Sequence, residues 1–209
     1  MTEVRAFTWS DAPLLRRLSP MGVSLDTVTG LTRGLNPLND AFLASLPLGD
    51  RGMPTYVLRD DKGQEAIGQL RHREGTARAY IAHIAPNLPD SFERNGNAEC
   101  GGWLHLIDGL VAAAGARGAA SVNAEVDPNS PAFAVLRQAG FAVFARQDIW
   151  RRPPAAVGPS PGRRLQPATA LHQIEVTTLY ANTVPRLVQQ AVPPPEADDV
   201  GLVCVGEGG

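Results

Sequence analysis

Between residues 55 and 85 the chain turns back on itself twice, and this restricts the fold more than any other stretch. Residues 55–59 read as a strand. Asp60-Asp61-Lys62-Gly63 is a turn with glycine at its last position. Residues 65–73 return as the second arm of a hairpin. Glu74-Gly75-Thr76 turns again, and residues 78–85 make a third strand. Turns this short join antiparallel neighbours, so the segment is a meander.

The flanks complete the order of elements. Residues 4–8 alternate as a short first strand. Ser10 is a good N-cap for a helix over 11–18, with Pro13 tolerated in its first turn. Residues 19–54 are punctuated by Gly, Pro and Asn, and AFLASL (41–46) is their best helical piece. After a loop from Pro86 to about residue 98, Trp103, Leu106, Ile107, Leu110 and Ala114 recur at helical spacing. SVNAEV (121–126) is a strand with Val122, Ala124 and Val126 on one face. Ser130 can cap a helix over 131–139 that Gly140 stops, and residues 144–150 read as a last strand. A meander followed by a strand–helix–strand crossover predicts an α/β domain over residues 1–151: a mixed, mostly antiparallel sheet flanked by helices.

RRPPAAVGPSPGRR (151–164) reads as a linker, with four prolines, two glycines and no periodicity. Beyond it, LQPATALHQIEVTTLY resembles the opening of the chain, a short strand and then a helix. VGLVCVG (200–206) can form one more strand. These last 45 residues, 165–209, are too few to close a core of their own. They either dock on the first domain or begin a second one.

Composition narrows the functional classes. Hydrophobic residues make up 44% and charged residues 19%, as in soluble globular proteins. A net charge of −2 gives no overall field that recruits nucleic acid or an anionic membrane, so neither is expected as a partner. Cys100 and Cys204 are far apart and lack metal-site spacing, so no metal centre or disulfide framework is expected. The first residues, MTEVRAFTW, carry no secretory signal, and a cytoplasmic location is the default expectation.

The stretch NSPAFAVLRQAGF (129–141), following SVNAEV, resembles the strand–turn–helix of the GCN5-related N-acetyltransferases (GNAT). Asn129, Ala132, Gly140 and Phe141 match that family's pattern, and the resemblance covers roughly residues 3–151. It implies a GNAT-like sheet and acetyl-CoA as cofactor. It implies that a strand equivalent to 80–86 splays from its neighbour and that backbone at Ile84 and Ala85 polarises the acyl carbonyl. It implies too that a loop into the next helix cradles the pyrophosphate on backbone N–H groups, as helix N-termini do. Gly101, Gly102 and Asn129 are the remaining cofactor-binding candidates.

Two departures stand out. The family's cradle has Gln or Arg, then two residues, Gly, one residue, and Gly or Ala. Here those positions hold Ala98, Gly101 and Trp103, one match of three. The helix tyrosine that commonly serves as general acid is replaced by Leu136, which has no proton to give.

His83 and Glu125 are the catalytic candidates, as groups that could take a proton from an attacking amine. Each also has a structural reading: His83 as a buried strand histidine, Glu125 as a cap or an arginine partner. Tyr80 can donate a proton or pack, His72 and His105 read as surface groups, and Trp103 reads as core. Two functions stay open. One is acetyl transfer from acetyl-CoA to a small-molecule or peptide amine. The other is a non-catalytic, structural or ligand-sensing half of a tandem acetyltransferase. A homodimer completed through residues 200–205 is a further possibility for its partners.

Overall fold

In a computed structural model, residues 3–27, 30, 36–45, 53–60, 63–73, 75–89, 100–149, 165–194 and 202–204 are described. The chain divides into two compact units, Met1–Ala142 and Val143–Gly209.

The first unit opens with β1 (Glu3–Ala6), a 3-10 turn (Trp9–Asp11) and α1 (Ala12–Leu18). Thr8, rather than Ser10, stands at the head of this turn, and Asp11 closes a capping box with it. β2 (Val23–Ser24) and α2 (Pro37–Ser45) follow. The meander is present as β3 (Thr55–Arg59), β4 (Glu65–His72) and β5 (Arg78–Ala85), all antiparallel. Gly63 and Gly75, both at φ 78°, make its two turns, a conformation that costs any other residue a steric penalty. Next come α3 (Cys100–Ala116), β6 (Ser121–Asn123) and α4 (Pro131–Gln138).

The sheet runs β1-β3-β4-β5, and β5 then meets two strands on its outer edge. β6 pairs in parallel with its first half, Arg78 to Tyr80. β2 pairs antiparallel with its second half, Val23 with Ile84 and Ser24 with His83. The mixed α/β class expected from the sequence therefore holds.

Each face of the sheet has its own core. On one, α3 and α4 cover Leu58, Leu70, Ile81 and Ile84 with Trp103, Leu106, Ile107, Leu110, Val135 and Leu136. Gly68 lets α3 come close, since a Cβ there would meet Leu110 Cδ1 at 2.7 Å. On the other, Leu14, Leu15, Leu18 and Ala41 cover Val57, Ile67 and Ala85. Each fully buried aliphatic side chain contributes about 1.5–3 kcal/mol.

The strand expected over residues 144–150 is absent: residues 141–149 have no regular structure, and Trp150 lies outside the described residues. Apolar alternation makes a strand only where a ladder partner is in reach. Val143 and Ile149 stay exposed. The linker at 151–164 also lies outside the described residues.

The second unit contains β7 (Leu165–Pro167), a 3-10 turn (Ala170–His172), α5 (Gln173–Thr183), α6 (Arg186–Ala191) and β8 (Leu202–Cys204). β7 and β8 form a two-stranded antiparallel sheet. Among the described residues no helix is long and apolar enough to cross a membrane.

Candidate functional site

The expected site residues converge only in part. His83 and Ile84 lie on the second half of β5, and Glu125 lies just past β6. A single segment, residues 19–27, links these two places. Leu25 N–H donates to Ala82 O at 2.9 Å, and Glu125 N–H donates to Leu25 O at 2.8 Å. Thr27 N–H donates to Glu125 Oε2 at 2.9 Å, and Asn87 N–H donates to Met21 O at 2.7 Å. The segment thus lies in the opening where β5 and β6 diverge, with Leu25 fully buried. Glu125 holds this segment in place.

His83 is buried at 4% exposure; its ring nitrogens make no well-formed hydrogen bond and have the main chain of Val23 and Ser19 beside them. Burial pushes its imidazole below the ordinary value, and the backbone of Val23 and Ser19 opposes this less strongly. Gly22 lies directly on the ring: a Cβ there would sit 2.3 Å from His83 Cε1 and 2.4 Å from Nε2. Only glycine permits that approach.

The register places Thr55, Gln69 and His83 side by side on the face that α1 covers. Gln69 is fully buried. Its Nε2 donates to Pro37 O and to Thr55 Oγ1, both at 2.9 Å, while Thr55 Oγ1 donates to Met53 O at 3.2 Å. Those bonds fix the amide and leave its Oε1 without a partner.

A register shift between Gln69 and Leu70 leads to a second polar group. Arg71 lies 4.1 Å over the Tyr80 ring, and its Nε donates to Asp26, which is buried. Tyr80 therefore packs beneath a cation. His72 differs from its expected surface position: it is buried, and Nε2 donates to Thr76 O at 2.9 Å. His105 is exposed, and Nδ1 donates to Gly101 O at 2.6 Å.

The cofactor candidates separate. Ile84 and Ala85 are both fully buried, in opposite cores. Gly101 and Gly102 lie in the first turn of α3, while the cradle positions before Cys100 lie outside the described residues. Trp103 is in the core at 3% exposure. Its indole N–H donates to Pro86 O at 2.9 Å, tying the start of α3 to the end of β5. Asn129 is exposed in a turn, where its N–H donates to Asp127 Oδ1 at 2.8 Å. Leu136 is buried in the core. No group of three or more His, Cys, Asp or Glu suited to a metal occurs among the described residues.

Sequence reasoning missed the closing segment. Its signal was present: Val23 and Leu25 alternate within SPMGVSLD, after Pro20 and Gly22. Gln69, a polar residue inside the apolar run AIGQL, was a second signal.

No family model matches the chain, and no curated protein and no solved structure matches it.

Proposed function

We propose that the first unit is a GNAT-like domain without acetyl-transfer activity, serving as the structural half of a tandem acetyltransferase. The observation that carries this reading is the outer edge of β5. An acyl-pantetheine arm would pair with main chain near Ile84, and Val23 already pairs there. The residues present do not fit an extended arm along that edge without removing Leu25 from the core. His83 lies under Gly22 instead of facing an incoming amine, and Glu125 is committed to Thr27. Trp103 and Leu136 agree with this reading: one bridges to Pro86, and the other fills the core where a tyrosine would supply a proton.

Support for the tandem part comes from the second unit, whose strand–turn–helix follows the same plan as β1–α1. The test is a calorimetric titration with acetyl-CoA. The expected result is no heat of binding up to roughly millimolar cofactor. Binding at roughly micromolar, a free energy of about −8 kcal/mol, would overturn the proposal and favour the acetyltransferase reading.

A further inference from the structure

Residues 19–27 close over a buried ring whose nitrogens make no well-formed hydrogen bond and have only the main chain of Ser19 and Val23 beside them. Gln69 Oε1, His83 Nδ1 and His83 Nε2 all lie in this state on neighbouring strands, buried and without a well-formed bond. Such groups are unfavourable when buried, and the surrounding packing must offset them. The closure above them is tight at Gly22 and depends on a few main-chain bonds: Leu25 N–H to Ala82 O, Asn87 N–H to Met21 O and Glu125 N–H to Leu25 O.

The groups that the strand register and residues 19–27 place beside the ring are neutral or already engaged, and Asp40, on the helix whose Pro37 O accepts from Gln69, is engaged too. From β4 comes the Gln69 amide. From residues 19–24 come main chain and Ser24, whose hydroxyl donates to Asp26 O at 3.2 Å. The nearest acidic groups of the closing segment and of the chain beyond β6 are Asp26 and Glu125. Asp26 pairs with Arg71, and Glu125 accepts from Thr27. On α1, Arg17 pairs with Glu65, on the strand end away from His83.

We propose that residues 19–27 form a proton-released strap: the neutral His83 ring lets Gly22 seat on β5, and a charged ring beneath it lifts the strap from the strand edge. The inference goes beyond the structural role proposed above and stands on the closure alone. Burial favours the neutral ring, so the unfolded or opened form binds the proton more tightly. The closed form is therefore favoured above about pH 6.5 and loses ground as pH falls below it. Opening would uncover the second half of the β5 edge, which can then accept another extended chain.

Amide hydrogen exchange tests this, with rates corrected for the intrinsic pH dependence. Between about pH 7.5 and 5.5, protection at Leu25, Asn87 and Glu125 should fall roughly tenfold or more. Phe7 and Leu70, which donate to Thr55 O and Pro54 O, should keep theirs. In His83→Gln the acid-dependent loss should disappear. Unchanged protection in the wild type, or an equal loss in His83→Gln, overturns the strap. If His83→Gln does not fold, Gly22→Ala decides. Its methyl cannot share space with the ring, so the same three amides should exchange fast at about pH 7.5. Full protection in that variant also overturns the proposal.

Discussion

The strand–turn–helix that opens the chain and the one that begins at Leu165 have nearly the same backbone and very different surroundings. Thr8 and Thr169 head their turns at φ/ψ −125°/162° and −126°/167°. Asp11 and His172 precede their helices at −91°/−3° and −90°/0°. Each closes a capping box three residues after its threonine. Asp11 accepts from Thr8 N–H at 2.9 Å, and His172 Nδ1 accepts from Thr169 N–H at 3.1 Å. Packing separates them. α1 buries Leu14, Leu15 and Leu18, whereas α5 has no buried residue, and Leu171, Ile174 and Leu179 are 86%, 77% and 64% exposed. Local chemistry sets the turn. Burial needs a sheet broad enough to pack on: α1 has the six-stranded sheet of the first unit, whereas the described strands of the second unit are β7 and β8.

The greatest loss is expected where the first unit is packed most tightly. Trp103→Ala removes an indole from the core and its bond to Pro86. It should cost about 3–5 kcal/mol by urea unfolding, with no gain of acetyl-CoA binding. Tight cofactor binding by that variant would mean that the indole blocks a working cradle.

A smaller test compares the two capping residues. Asp11 is fully buried and accepts two bonds from Arg5, both at 2.7 Å, which hold its carboxyl well below the usual carboxylate range. Asp11→Ala should cost about 2 kcal/mol, since the partly exposed Arg5 recovers some hydration. His172→Ala, at an exposed cap, should cost less than about 1 kcal/mol. The acid limb gives the same contrast. A depressed carboxylate stabilises the fold above about pH 4 and loses that contribution as pH falls further. Asp11→Asn should therefore flatten the acid unfolding of the first unit. Equal costs at Asp11 and His172 would show that packing does not distinguish the modules.

The meander was legible because its two glycine turns and apolar alternation act over a few residues. The helices of the first unit were legible for the same reason, to within a few residues at their ends. The closing strand was not, because β2 has only two residues and exists through its partner on β5, about sixty residues away in sequence. The reverse error at 144–150 has the same origin: strand-like sequence without a partner stays irregular. At the candidate site, the position of His83 on β5 followed from the sequence, whereas Glu125, expected inside a strand over 121–126, lies past β6, which ends at Asn123. What covers them did not follow from the sequence, because Gly22 and Leu25 come from the region with the weakest pattern.

The proposed structural role requires that the second half of β5 have no free edge. Amide exchange at neutral pH reads this directly at Leu25, Asn87 and Glu125, whose N–H groups hold residues 19–27 against the sheet. Protection within roughly tenfold of that at Phe7 and Leu70 is the predicted result. Exchange of those three amides at the rate of an open chain, while Phe7 and Leu70 stay protected, would contradict it.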